Sequence, residues 1–349
     1  MYDFANRLIA WQKIHGRHDL PWQTKTGQTP DPYAIWVSEI MLQQTQVVAV
    51  IGYYSKFMQR FPNIPSLANA TQDEVLQYWS GLGYYSRARN LHNAAMTIMD
   101  KHHGIFPQDF DAIQSLSGIG RSTAAAIASF AFNQVQTILD GNVKRVLARH
   151  FLIEGWTSGP KVESALWQLA ESLLPNEDMV AYTQGLMDLG ATICTRSKPK
   201  CDSCPLKTSC KALAFQRINE LPTPKPRKTI PEKHSTMLIL RHGDEVLLEK
   251  RPTSGIWGGL WSFPELENSL DIENSVLQRF GITAKTDILL PKLTHTFTHF
   301  RLQISPQTLN VVKRAPQVNQ PTLIWISISD AVGAAIPTPI RKILQSMMV

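Results

Sequence analysis

The chain has 349 residues, 43% hydrophobic and 18% charged, with a net charge of +7. That length allows two or three domains and that composition is globular, while the basic balance suits a polyanionic partner without demanding one. No apolar run approaches the roughly 18 residues of a membrane helix, and the N-terminus lacks a signal-peptide layout, so a soluble cytoplasmic protein is expected. All four cysteines fall between positions 194 and 210. One tight group points to a metal site in a reducing compartment rather than to disulfides.

In chain order, Phe4, Leu8 and Trp11 form an apolar stripe at helical spacing, and Leu20-Pro21-Trp22-Gln23 ends that helix in a loop running through Pro30. Asp31-Pro32 reads as an N-cap followed by a first-turn proline. The spacing of Ile35, Trp36, Ile40, Val47, Val48 and Ile51 predicts one helix from about Pro32 to Phe61. Within it, Gln43-Gln44-Thr45-Gln46 is a polar run that signals a helix end or break facing something polar, and Glu39 sits on the more apolar part. Asn63 to Ala70, just after Pro62 and containing Pro65, reads as a loop, and Thr71-Gln72-Asp73-Glu74 as a capped helix start. Gly81-Leu82-Gly83-Tyr84-Tyr85-Ser86-Arg87-Ala88-Arg89 is a glycine turn whose aromatic pair and arginines suit a stacked or charged ligand.

A second glycine turn, Leu116-Ser117-Gly118-Ile119-Gly120-Arg121-Ser122-Thr123-Ala124, reads helix, turn, helix. Gly118 and Gly120 are free to adopt tight backbone angles. The unpaired amides opening the following helix suit a phosphate, held without sequence preference. A plain helix corner would use the same residues, but Asp140 opens the next helical pattern 20 positions after Gly120. Helices are expected over Lys161–Leu174 and Asp178–Thr192.

The cysteines follow as Cys194-x6-Cys201-x2-Cys204-x5-Cys210. Four thiolates hold either zinc or a [4Fe–4S] cluster. One 17-residue loop with a single Cys-x2-Cys pair favours the cluster, since structural zinc more often takes two separated pairs. Arg196, Lys198, Lys200, Lys207 and Lys211 surround the loop and are placed for phosphate contact. Residues 217–233 form a basic, proline-punctuated linker with Lys225, Arg227, Lys228 and Lys233. Beyond it Thr236–Leu240 and Glu245–Leu248 read as a hairpin around His242-Gly243-Asp244. Leu302–Ser305 and Leu323–Ile328 read as strands, and 269–280 and 338–348 as helices, giving an α+β domain.

The two glycine turns, Asp140 and the cysteine spacing together resemble the helix-hairpin-helix base-excision DNA glycosylases of the endonuclease III type, over about residues 1–215. Ser38-Glu39-Ile40-Met41-Leu42-Gln43-Gln44-Thr45 resembles the adenine-specific branch, the MutY family. The resemblance implies a multidomain protein: an all-α core, made of a six-helix barrel and an iron-sulfur helical module, followed by an α+β Nudix-like domain. The expected divisions are 1–29 (a helix joining the cluster module), 30–135 (barrel with helix-hairpin-helix), 136–216 (cluster module), 217–233 (linker) and 234–349 (Nudix-like 8-oxoguanine recognition domain). It further implies one [4Fe–4S] cluster per chain on Cys194, Cys201, Cys204 and Cys210. The implied activity is excision of adenine opposite 8-oxoguanine or guanine in duplex DNA, by a monomer in the bacterial cytoplasm that associates with the nucleoid through DNA.

By that analogy Glu39 is the general acid at adenine N7 and Asp140 the carboxylate facing the sugar cation, the two tasks that glycoside hydrolysis divides between carboxyl groups. Neighbours Trp36, Ile40 and Leu42 would raise the Glu39 pKa by desolvation. Ser122 stands where bifunctional members carry a nucleophilic lysine, so no Schiff base forms there. Gln44 and Tyr84 match the intercalating positions that fill the hole left by base extraction, and Leu82-Gly83 shape the turn. Trp22 and Gln184 match positions lining the base pocket, and Lys144 is a contact beside the abasic sugar.

The run Arg251-Pro252-x3-Ile256-Trp257-Gly258-Gly259-Leu260-Trp261-Ser262-Phe263-Pro264 resembles the start of a Nudix fold. Residues 265–282 hold Glu265, Glu267, Asp271 and Glu273 but no Arg-Glu-x2-Glu-Glu array for magnesium, so a fold without hydrolase activity is expected. The family's Phe-Ser-His recognition loop becomes Phe297-Thr298-His299, with threonine adding a methyl. Three other readings stand beside this one: a glycosylase for mismatched thymine or a pyrimidine lesion, a nucleotide-pool hydrolase, and a non-catalytic lesion binder.

Overall fold

The computed structural model describes residues 2–25, 27–226, 230–266, 271–314 and 321–348. Arg227 and Lys228 of the basic linker, and Glu267, lie outside them. Contacts divide the chain into two units, Met1–Asn69 with Asn90–Arg227, and Ala70–Arg89 with Lys228–Val349.

The first unit is helical. α1 (Tyr2–His15), α2 (Pro32–Leu42), α3 (Val47–Arg60) and α4 (Ile64–Ala68) lead to α5 (Gln72–Trp79), which belongs to the second unit, and α6 (Ser86–His102), which is shared. α7 (Phe110–Ser115), α8 (Arg121–Phe132), α9 (Gly141–Phe151), α10 (Pro160–Ser172) and α11 (Met179–Asp188) complete the helical part, ahead of the short α12 (Lys211–Ala214). The single helix expected from Pro32 to Phe61 is two. The polar run 43–46 interrupts it, because four amide and hydroxyl side chains offer nothing to the apolar core on either side. The loop expected at 63–70 contains α4, closed by a reciprocal cap between Asn63 and Ser66. Asp31 and Thr71 cap α2 and α5 as read, accepting from the Tyr33 and Glu74 amides.

One core cluster joins Phe4, Leu8 and Ile9 of α1 to Val143 and Leu147 of α9, Leu166 of α10, and Tyr182 and Leu186 of α11. The end of α11 widens into a π-turn at Leu189–Ile193, closed by the Cys194 amide on the Leu189 carbonyl. There Gly190 lies against Asn142, where an added Cβ would meet the Asn142 Cβ at 2.6 Å, so only glycine lets the start of α9 approach so closely.

The second unit is built on a mixed sheet: β1 (Glu232–His242), β2 (Glu245–Lys250), β3 (Trp261–Ser262), β4 (Glu265–Leu266), β5 (Thr283–Leu289), β6 (Leu293–Thr296), β7 (Arg301–Lys313) and β8 (Leu323–Ser327), with α13 (Ile272–Phe280), α14 (Ile328–Gly333) and α15 (Thr338–Ser346). The main order is β3-β2-β1-β7-β5, with β1 and β7 parallel from Glu232↔Arg301 to Arg241↔Asn310. Leu238, Leu240, Leu247, Val276, Ile282, Ala284 and Leu309 form its core. Among the described residues no helix is long and apolar enough to cross a membrane.

Candidate active site

α2 is capped by Asp31 and buries Ile35, Trp36, Val37, Ile40 and Met41, and this packing holds Glu39 against a cavity of about 430 Å³. Trp22, Ser38, Phe130 and Gln184 also line it. Its size is that of a small-ligand pocket. Enclosure first, and the Asp140 charge second, push the Glu39 carboxyl up to about 8. Among the described residues no cation pairs with it.

Asp140 caps α9, accepting from the Val143 amide at 2.8 Å and from Asn142 Nδ2 at 3.4 Å. Enclosure raises its pKa as well. The Val143 and Asn142 amides, the Arg145 charge and the Asn142 side chain all pull the other way. Asp140 lies outside the cavity wall yet close enough for its charge to act on Glu39. The two carboxyl groups differ in their support. Glu39 is placed to keep a proton, and Asp140 has donors and an arginine to hold a negative charge.

Trp22 is buried and meets Tyr54 edge-on at 5.3 Å, so it serves the core and the cavity wall at once. Gln184 is buried too, and is not the surface helix residue its polarity would permit. Gln44 is exposed at the α2–α3 break with φ 58, while its neighbour Gln43 donates to the Gly118 carbonyl at 3.3 Å and the Thr123 hydroxyl at 3.2 Å. The break is thereby clipped to the second glycine turn.

Gly118 has φ 80, and a Cβ there would meet the Asn90 Cβ at 2.7 Å. Gly120 corrects the expectation of unusual backbone angles. Its φ is −85, any residue could adopt it, and a Cβ would meet nothing within 4 Å. Its bareness instead leaves the N-terminus of α8 open to an outside group. Ser122 uses its hydroxyl to accept from the Leu139 amide at 2.9 Å, fixing the segment that enters Asp140. Lys144 is not an open amine: it is largely buried and pairs with Glu163 at 2.6 Å.

In the second unit, Leu82 is buried and shapes its turn from within, while Tyr84 is exposed with φ 50. The arginines expected to face a ligand are used in the fold. Arg87 is buried, lies 5.3 Å from the Tyr84 ring and donates to the Gly83 carbonyl at 3.1 Å, and Arg89 donates to the Gly258 carbonyl at 2.6 Å. Both satisfy carbonyls that glycine turns leave unpaired. Thr298 and His299 are exposed at the tip of the β6–β7 hairpin, which the Phe297 amide closes onto the Phe300 carbonyl at 2.9 Å. Phe297 is half-buried rather than buried, between His295, Trp257 and Phe300.

The four cysteines are half-buried and free of disulfides. Burial pushes the Cys204 thiol up to about 11. The Leu206 amide opposes this, and charge on Cys194, Cys210 and Cys201 adds to it. Cys201 and Cys210 are raised by burial and then, among smaller effects, by the Cys194 charge. Three thiols held in their neutral form by burial and by the charge of neighbouring cysteines suit a cationic group that would deprotonate them. Among the described residues no three His, Cys, Asp or Glu form a group able to hold a single ion. A single zinc needs its thiolates about 2.3 Å from one centre. A cubane gives each iron its own cysteine and asks only that the thiols surround a space.

Sequence reasoning missed Asn142, Arg145 and Arg149. Arg145 donates to Asn142 Oδ1 at 2.7 Å, to the Gly190 carbonyl at 2.7 Å and to the Cys194 carbonyl at 2.8 Å, tying the Asp140 cap to the cysteine loop. Buried Arg149 donates to the Leu221 and Thr195 carbonyls. Their spacing along α9, one turn apart, was visible, but it reads as a solvated basic face.

Residues 37–172 match the HhH-GPD superfamily base excision DNA repair protein family, and residues 235–346 match the NUDIX domain family. The chain is 40% identical over 98% of its length to the adenine DNA glycosylase of Buchnera aphidicola subsp. Baizongia pistaciae, covering 95% of that protein. It is 34% identical over 98% of its length to the human adenine DNA glycosylase, covering 73% of it. Among solved structures, a thermostable thymine-DNA glycosylase aligns with 61% of this chain and 95% of its own, with TM-score 0.52 and 29% identity. An endonuclease III–DNA complex aligns over 61% of this chain and 94% of its own at TM-score 0.51, and at 20% identity it supports the fold alone.

Proposed function

The chain belongs to the adenine DNA glycosylase family, a DNA N-glycosylase of base-excision repair, and we propose that its substrate is adenine opposite 8-oxoguanine, or less well opposite guanine, in duplex DNA. The observation that carries the mechanism is the pair of unlike carboxyl groups, Glu39 pushed up to about 8 at a cavity and Asp140 held by amides and Arg145. Neutral adenine leaves poorly. Glu39, protonated at neutral pH, gives its proton to N7 of the flipped base as the C1′–N9 bond breaks. Asp140 offsets the positive charge that develops on the sugar, and water completes the hydrolysis.

With serine at position 122 there is no amine to form a Schiff base, so the reaction ends at an abasic site. Lys144, paired with Glu163, is a sugar contact and not a nucleophile. Gln44 and Tyr84, both exposed on left-handed backbone, enter the duplex beside the extracted base. The open N-terminus of α8 at Gly120 takes a phosphate, with Gly118 setting the turn. Trp22 and Gln184 enclose the base. Phe297, Thr298 and His299 meet the oxidised guanine, and the threonine methyl sets how closely the loop approaches. Cys194, Cys201, Cys204 and Cys210 would hold one [4Fe–4S] cluster. Such a cluster would hold their loop rigid, and the exposed Lys198, Lys200 and Lys207 on that loop face the DNA backbone.

A labelled duplex with one adenine opposite 8-oxoguanine tests this with and without hot alkali. Breaks at the adenine only after alkali are expected. Breaks without alkali would overturn the monofunctional reading, and tight binding with no release would favour a lesion binder.

A further inference from the structure

The cavity contains a feature that the two carboxyl groups do not account for. Gln184 is buried on α11 and lines the wall. Its Nε2 donates to Asp188 Oδ1 at 2.8 Å, one helical turn further on. Asp188 is 1% exposed and is held in turn by Arg17, whose Nη2 lies 2.7 Å from Oδ1 and whose backbone amide donates to Oδ2 at 2.9 Å. A carboxylate paired with a guanidinium only accepts, so the face of the Gln184 amide turned to it has to be the NH2 group. The amide oxygen is then the atom left for the cavity. Among the described residues it accepts no hydrogen bond.

We propose that Asp188, with Arg17, is a positioning pair that fixes the Gln184 amide so that its carbonyl oxygen reads the exocyclic amino group of the base. This rests on the adenine reading of the cavity and extends it to the choice between 6-amino and 6-oxo purines. Adenine offers a donor at that position and a 6-oxo purine offers an acceptor. An oxygen facing an oxygen leaves two acceptors unpaired in an enclosed site, which rejects the wrong base more strongly than a missing contact would. Without Asp188 the amide could turn over and present its NH2, and the preference would weaken.

The same carboxylate shapes the wall beside the base. Arg17 starts the loop that carries His18, Trp22, Gln23 and Thr24, all of them at the cavity, and Gln23 Nε2 donates back to the Arg17 carbonyl at 2.8 Å. One ion pair, buried on its Asp188 side, therefore docks that loop on α11 and orients the amide. These residues are 171 positions apart, and Asp188 alone looks like an ordinary helix acid.

The test is single-turnover base release by the full chain from three duplexes carrying adenine, purine without the amino group (nebularine), or hypoxanthine opposite 8-oxoguanine. The unmodified chain is compared with Asp188→Leu, because asparagine would keep an oxygen in place for both Gln184 Nε2 and the Arg17 guanidinium. Intrinsic leaving-group differences cancel when ratios are compared between proteins. The adenine-to-nebularine ratio should fall about tenfold in the variant, the loss of about one hydrogen bond, and the adenine-to-hypoxanthine ratio should fall further. A variant that slows all three bases equally would overturn the proposal, since a purely structural role predicts that result. Where Asp188→Leu, which strands the Arg17 charge, does not fold, the double variant Arg17→Met, Asp188→Leu removes both charges, and the same ratios decide. Absence of adenine release by the unmodified chain would instead overturn the functional reading itself.

Discussion

Glu39 of the first unit and three glutamates of the second are treated in opposite ways. In the second unit Glu249 is paired with Arg279 at 2.7 Å, Glu265 with Arg251, and Glu245 with Arg314 at 2.5 Å. In the first unit Glu39 has no cation, is enclosed, and rises to about 8. A glutamate neutralised by a guanidinium can neither carry a proton at neutral pH nor take a magnesium ion without losing its partner. A glutamate deprived of water and of cations keeps its proton and can give it away. The acid chemistry we propose accordingly falls to Glu39 in the helical unit, and recognition is the role we propose for the Nudix-like unit.

The sharpest way to break this contrast is Glu39→Gln. Base release should fall by about a hundredfold to ten-thousandfold, with duplex binding retained; normal release would contradict the acid assignment. Asp140→Asn should lower release by about a hundredfold to a thousandfold. Its melting temperature should change little, because asparagine still caps α9. A large drop in stability would mean that Asp140 acts mainly as a cap.

The Glu39 contrast also predicts a stability effect of unusual sign. Glu39 keeps its proton to about pH 8 in the fold but loses it near 4.5 in the unfolded chain. Stability therefore declines as pH rises from 4.5 to 8, and about 3 kcal/mol of it is missing at pH 7. Glu39→Gln should melt higher than the unmodified chain at pH 7, with the gain vanishing near pH 4.5; a variant that melts lower at pH 7 would remove the case for an enclosed, unpaired carboxyl.

Smaller effects separate the glycines and the ion pairs. Gly118→Ala, strained by its positive φ and by Asn90, should cost about 1–3 kcal/mol. Gly120→Ala should cost under about 1 kcal/mol while weakening duplex binding. Equal stability losses would remove the distinction between a turn glycine and an approach glycine. Arg279→Gln, breaking a half-exposed pair, should cost under about 1 kcal/mol and leave adenine release unchanged.

Local chemistry made much of this legible in the sequence. The Asp31, Thr71 and Asp140 caps depend on partners two or three residues away, and the capping residues announce them. The break at 43–46 was visible as a polar run, but helical spacing continued across it and hid the second helix. Gly120 misled because glycine marks unusual angles and open approach alike, and only the backbone separates them. Ser122 holding Leu139, Arg145 reaching Cys194, and Arg17 meeting Asp188 lie 17, 49 and 171 positions apart. No periodicity carries such pairings, so the residues that position the site had to wait for the fold.

The proposed chemistry depends most on the proton held by Glu39. Single-turnover adenine release at saturating protein, followed from about pH 5 to about pH 10, reads it directly. The rate should fall about tenfold per pH unit above about 8, where the acid form is lost. A rate that holds level or rises through pH 8 to 9 would mean that Glu39 does not act as the acid.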